Sequence, residues 1–158
     1  MNKNQDFSNQ VVWITGASSG IGAALARAFA KRGAKLVLSA RRKDKLEEVA
    51  ASCCTLADNK DNACVLPLDI TDESAMQSST EQAWSFFNRV DLLINNAGIS
   101  QRSSFLTTSM QTYRTLFEVD VFGQIALTKQ VAPKMIEQGS GHIAVSYTHL
   151  TLPTTSRV

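Results

Sequence analysis

Apolar residues fall along this chain in two alternating rhythms. Residues 11–15 (Val-Val-Trp-Ile-Thr) form a short continuous apolar run that reads as a buried strand, and it leads straight into Gly16-Ala17-Ser18-Ser19-Gly20-Ile21-Gly22. Ile21, Leu25 and Phe29 then recur four residues apart and predict a helix with these three on one face. Gly33 suits a left-handed helix terminus. A second strand is expected over 35–40, and Leu46, Val49, Ala50 and Cys53 carry a second helical stripe. The polar stretch 58–62 returns the chain to a third strand over 63–68. A helix over about 72–88 would bring Ala75, Met76, Ala83, Phe86 and Phe87 to the core, ahead of a fourth strand over 90–95. After a loop over 98–108, one long helix is predicted over about 110–138, bent at Pro133 and stopped by Gly139. Residues 142–145 begin a fifth strand.

Strands that are apolar throughout and alternate with helices predict a parallel sheet covered on both faces. Right-handed crossovers then lead to a doubly wound α/β fold with its first five strands in the order 3-2-1-4-5. No internal repeat or linker interrupts the pattern before Val145, and a length of 158 residues suits one domain.

Charge narrows the choice of partners. The net charge is +2, and the densest basic cluster, Arg41, Arg42, Lys43 and Lys45, is interleaved with Asp44, Glu47 and Glu48. Such mixing argues against nucleic-acid or membrane binding by bulk electrostatics. Cys53, Cys54 and Cys64 have neither disulfide-framework nor metal-ligand spacing, so no metal is expected and a reducing, cytoplasmic location fits best. The first ten residues are polar, and no apolar run approaches the roughly 18 residues of a membrane span.

The chemistry concentrates at the glycine turn. A strand, a glycine-rich turn and a helix in this order place free backbone N–H groups and the positive end of a helix dipole at one edge of the sheet, where a pyrophosphate would sit. Gly16 permits the tight turn, Gly20 lets the backbone approach the ligand, and Gly22 lets the helix pack against the strand. A tight turn with no ligand is the plainer alternative. A P-loop is excluded, because no Lys-Ser or Lys-Thr follows the last glycine. Where an acidic residue would hold the ribose 2′-hydroxyl of NAD, the chain reads Ser39-Ala40-Arg41-Arg42. Guanidinium groups pair with a 2′-phosphate, so NADP is favoured, with Ser18 a further hydrogen-bond partner. The alternative is that both arginines are solvated surface charge at the start of a helix.

The segment Thr15-Gly16-Ala17-Ser18-Ser19-Gly20-Ile21-Gly22 resembles the TGxxxGIG motif of the short-chain dehydrogenases/reductases. Asp69-Ile70 stands where that family binds the adenine amino group, although Asp72 or Thr71 beside it could equally cap a helix. Asn95-Asn96-Ala97-Gly98 is similar to the family's NNAG motif, in which the asparagines tie strands together and the Ala-Gly backbone borders the cofactor. Residues 119–135 resemble its VNxxGxxxxTxxxLPxM pattern, with Asp120 and Ala132 as departures. The resemblance runs from Val11 to about Val145. It implies a cofactor site made by Gly16, Ser18, Ser19, Gly20, Ile21, Gly22, Arg41, Arg42, Asp69, Ile70, Asn95, Ala97 and Gly98. It further implies an NADP-dependent oxidoreductase acting on a small carbonyl or secondary alcohol, in a parent protein that forms homo-oligomers.

The family's catalytic set is Asn, Ser, Tyr and Lys, the lysine lowering the tyrosine pKa so that it can exchange a proton near neutral pH. Asp120 occupies the asparagine position and brings a charge to it. No Tyr-x-x-x-Lys occurs, since Phe117 follows Tyr113 and Thr151 follows Tyr147 at that spacing. By register Thr148 falls on the catalytic serine, a coincidence of alignment. The expectation is therefore an incomplete cofactor-binding domain over 1–145 and an unrelated tail over 146–158, a cloning or sequencing scar in which Tyr147 and His149 carry no chemistry. Such a chain would be inactive, and an exposed sheet edge and the apolar helix residues Leu116, Phe117, Val119, Val121, Phe122, Ile125 and Leu127 would make it poorly soluble. Ser100, Gln101 and Arg102 either line the near wall of a substrate pocket or belong to the loop surface. A non-catalytic NADP-binding sensor or interaction module is the competing function.

Overall fold

The structure is a computed structural model that describes residues 6–146. Tyr147, Thr148, His149 and the rest of 147–158 lie outside the described residues. Five strands, β1 (Val11–Thr15), β2 (Lys35–Ser39), β3 (Ala63–Val65), β4 (Leu92–Asn95) and β5 (His142–Val145), make one parallel sheet in the order β3-β2-β1-β4-β5. This is the doubly wound order expected from the alternating pattern. The central strand β1 is buried along its whole length, as strands covered on both faces must be.

Helices α1 (Gly20–Ala30) and α2 (Lys43–Ala57) pack on one face of the sheet, over Val12, Ile14, Leu36 and Leu38. Helices α3 (Glu73–Phe87) and α5 (Gly123–Gln138) pack on the other, over Val11, Trp13, Val37 and Leu93. Successive strand residues point to opposite faces, so odd and even positions of β1 serve the two halves of the core. Each fully buried Trp, Leu or Ile contributes on the order of 1.5–3 kcal/mol through the water it sheds.

The third strand, at the sheet edge, is shorter than expected, yet the N–H groups of Leu66 and Leu68 still donate to the carbonyls of Leu38 in β2 and of Ala40 just after it at 2.9 and 3.0 Å. Gly33 and Gly139 both adopt positive φ, +84° and +76°, and close α1 and α5.

Two features go beyond the apolar pattern. The buried face of α1 is Gly22, Ala23, Ala26 and Ala30, while Ile21 is 55% exposed and Leu25 and Phe29 are only half-buried. Small residues face the sheet there because the helix lies too close for large ones. The helix expected over 110–138 is present in those bounds, but as α4 (Met110–Phe117), a π-helical turn (Glu118–Phe122) and α5 in unbroken succession, with Pro133 inside α5 without ending it. The turn sits where the helix passes a backbone: a Cβ on Gly123, the first residue after it, would overlap the carbonyl oxygen of Ile70. No helix among the described residues is long and apolar enough to cross a membrane.

Candidate functional site

All five strands end at the same edge of the sheet, and there the loops between β1 and α1, after β2, after β3 and after β4 enclose a cleft of about 1220 Å³. A cleft beyond the carboxyl ends of the strands, where the chain reverses direction across the sheet, is the usual ligand position in this architecture.

The glycine turn forms its floor. Gly16 has φ +65°, and a Cβ on it would come within 2.8 Å of the Ala97 Cα. A Cβ on Gly22 would overlap the Gly16 carbonyl oxygen and lie 2.6 Å from Asn96 Nδ2, so α1 can begin this close to β1 only with glycine there. Gly20 has φ +55° and open space on its Cβ side, and it faces solvent at the first position of α1. Ser19 makes no side-chain cap to α1, which leaves the first-turn N–H groups without a side-chain acceptor at the end of the helix that attracts anions.

Arg41 and Arg42 border one end of the cleft, both exposed. The Arg42 Nη2 lies 3.4 Å from Ser18 Oγ and 3.5 Å from Ser19 Oγ, bridging the end of β2 to the glycine turn. After β3, Leu68, Asp69, Ile70 and Thr71 line the adjoining wall. The Asp69 Oδ1 accepts from the Thr71 N–H at 3.0 Å and from its hydroxyl at 2.9 Å. The cap of α3 is Asp72, not Thr71: its carboxylate accepts from the Ser74 hydroxyl, which holds it below the usual carboxylate range, and from the N–H groups of Ser74 and Ala75.

The four residues Asn95, Asn96, Ala97 and Gly98, which end and follow β4, divide by face. Asn95 is buried and does not line the cleft; its Nδ2 donates to Thr128 Oγ1 at 3.0 Å, tying β4 to α5, and its Oδ1 has no partner among the described residues. Asn96 lines the cleft instead, donating from Nδ2 to the Thr15 carbonyl at 3.0 Å. Thr15, the end of β1 and the first residue of the glycine motif, holds this crossing together. Its Oγ1 accepts from the N–H groups of Asn96 and Ala97 at 2.9 and 3.0 Å and donates to the Ile94 carbonyl at 3.3 Å. Ala97 and Gly98 border the cleft, and the Gln124 amide donates to the Ala97 carbonyl at 3.0 Å.

Asp120 projects from the π-helical turn, and its Oδ1 accepts from the Ile99 N–H at 2.9 Å. It thereby fixes the backbone just after Gly98. Ser146 lies beside Asn96, donating from Oγ to Asn96 Oδ1 at 2.7 Å and from its N–H to the Asn95 carbonyl at 2.9 Å. Ser100 lines the cleft, Gln101 accepts from the Ser103 N–H, and Arg102 is exposed loop surface. Of the expected site residues, Gly16, Ser18, Ser19, Ile21, Arg41, Arg42, Asp69, Ile70, Ala97, Gly98 and Asp120 therefore share one cleft, while Gly20, Gly22 and Asn95 shape it from outside its lining.

A family model described as short chain dehydrogenase matches residues 10–147. The human protein "Dehydrogenase/reductase SDR family member 7" is 45% identical over 139 residues, which span 87% of this chain and 41% of that protein. The chain thus spans less than half the length of this curated relative. Among solved structures, a 7α-hydroxysteroid dehydrogenase complexed with NADH and 7-oxo glycochenodeoxycholic acid superposes with a TM-score of 0.84 at 30% identity, covering 97% of this chain and 60% of that one. L-sorbose reductase from Gluconobacter frateurii, complexed with NADPH and L-sorbose, superposes at 0.81 and 31% identity, covering 90% and 53%.

Proposed function

Because this chain belongs to the short chain dehydrogenase family, we propose that it is the dinucleotide-binding part of an NADP-dependent oxidoreductase acting on a carbonyl or secondary alcohol. Similar proteins have been solved with NADH and with NADPH, so family membership leaves the dinucleotide open. The observation that carries the choice is the basic segment just after β2, where Arg41 and Arg42 line the cleft, Arg42 reaches Ser18 and Ser19, and no carboxylate stands to hold a free 2′-hydroxyl. A 2′-phosphate there would meet guanidinium and hydroxyl donors together.

The residues present fit a dinucleotide. The close approach of Gly16 and Gly22 leaves no room for side chains under the turn, and the uncapped start of α1 offers N–H groups to a pyrophosphate. Asp69 borders the cleft where adenine would lie, and the Ala97-Gly98 backbone, held by Thr15, Gln124 and Asp120, borders the far end. When bound, the dinucleotide supplies or accepts the hydride, and the residues of this chain hold and orient it. Asp120 serves that orientation through Ile99. Without a tyrosine four residues before a lysine, residues 1–158 bind cofactor without turning over substrate. The parent gene read beyond the codon for Val145 should show an in-frame Ser-Ser pair and a Tyr-x-x-x-Lys.

Calorimetric titration of the chain with NADPH and NADH tests the reading. NADPH should bind at least about tenfold more tightly, as expected of a charge-assisted contact worth about 1.5–3 kcal/mol, and the Arg41→Ala/Arg42→Ala pair should erase the difference. Equal affinity for the two in the unaltered chain would sink the NADP assignment, and binding of neither would sink the cofactor site.

A further inference from the structure

We propose that Ser39, gripped by the buried indole of Trp13, is a positioning residue that sets how Arg41 and Arg42 meet the 2′-phosphate of bound NADP. This deepens the cofactor reading above and rests on it.

Trp13 lies on the central strand and is fully buried. The register pairs Trp13 with Val37 and Thr15 with Ser39, so the indole reaches two residues along β2 to place its Nε1 donor 2.9 Å from the Ser39 Oγ. Ser39 is itself 1% exposed, yet it borders the cleft as the last residue of β2. Its carbonyl accepts from the Ala17 N–H of the glycine turn at 3.0 Å, and the next carbonyl, that of Ala40, accepts from the Leu68 N–H at 3.0 Å. Beyond that point the chain leaves the sheet. Arg41 and Arg42 are exposed, and neither forms an ion pair among the described residues. They lie between two anchors, Ser39 upstream and the first turn of α2, where the Arg42 carbonyl accepts from the Leu46 N–H at 3.2 Å.

Packing alone does not call for this pair. An all-apolar pair would leave no polar atoms to satisfy, and a buried hydrogen bond adds only a modest net stability. What the bond adds is direction: a hydroxyl held by an indole in a low-dielectric core fixes the end of the strand against rotation and slippage.

Three variants test this in the full chain, Ser39→Ala, Trp13→Phe and the double variant, each read by the ratio of NADH to NADPH dissociation constants and by Tm. Each single variant leaves one buried polar group unpaired, so Tm should fall, and the ratio should drop on the order of fivefold. The double variant leaves neither group unpaired. Its Tm should lie above that expected from adding the two single losses, the lost indole volume still counting against it, while its ratio stays low, and it supplies the measurement if a single variant fails to fold. Ratios unchanged in all variants, or a ratio that recovers together with Tm, would overturn the positioning role. If the unaltered chain shows no preference for NADPH, the cofactor reading fails first and this inference falls with it.

Discussion

Cys53 on α2 has no exposed surface, and burial pushes its thiol from an ordinary 9.0 up to about 11, with the charge of Arg27 only partly opposing. In the unfolded chain this thiol ionises near its ordinary value, whereas in the fold it keeps its proton until about 11. The folded state therefore binds more protons between those limits. Stability from this source is full below the unfolded value and is lost as pH rises toward the folded one, by roughly 2 kcal/mol. Cys64, also raised by burial, adds a slope of the same sign. Urea unfolding at about pH 8 and about pH 10.5 should show the loss, and Cys53→Ala should remove most of it. An identical slope in that variant would place its origin elsewhere. Elsewhere at this scale, legibility from sequence depended on facing. The motif Asn95-Asn96 names two neighbours, but only the observed strand end sends one to Thr128 and the other to the glycine turn. Thr15 was legible in principle as a hydroxyl ending an apolar run beside that turn. Its role depends on a crossing between β1 and β4, which no local pattern encodes.

Helix α1 shows at the scale of an element how close approach overrides apolar periodicity. Ile21, Leu25 and Phe29 make a regular stripe, yet the face against the sheet consists of Gly22, Ala23, Ala26 and Ala30. A pattern that counts large residues as core misses a helix whose contact depends on small ones. The same feature yields a test with opposed signs. In an ordinary helix Gly→Ala stabilises by about 1 kcal/mol, but at Gly22 the added methyl meets the Gly16 carbonyl and the Asn96 amide, so Gly22→Ala should destabilise by about 1–3 kcal/mol. It should also weaken dinucleotide binding, because the glycine turn must shift. Thermal melts with a titration decide it, and a more stable variant would show that α1 can retreat without cost. The order of the sheet was legible because buried parallel strands and amphipathic α2 and α3 obey their periods. The π-helical turn was not, since the apolar sequence around it reads equally well as one helix, and the Ile70 backbone that Gly123 passes is more than fifty residues earlier in the chain.

Across the whole molecule, the described residues leave two apolar surfaces uncovered. Strand β5 is an edge of the sheet with all four residues exposed, Ile143 and Val145 among them. On the α4 side Phe105, Met110, Phe117, Phe122 and Ile125 are each at least half exposed. An open edge presents unpaired backbone groups to any other strand, and scattered aromatic residues along adjoining helical turns add an apolar face beside it. A net charge of +2 offers little repulsion to keep copies apart. The 158-residue chain should therefore associate in a concentration-dependent way near neutral pH, and its thermal unfolding should be broad or irreversible. Light scattering across a dilution series and melts at two concentrations are the checks. Charge placed on the edge distinguishes the two surfaces: Ile143→Lys should reduce association if strand pairing drives it, and Phe117→Lys if the α4 face does. A monomeric chain with a sharp, reversible melt would mean that these surfaces are covered within the chain itself. In that event the cleft behind β5 would also be better enclosed than residues 6–146 make it, because Val145 and Ser146 form part of its wall.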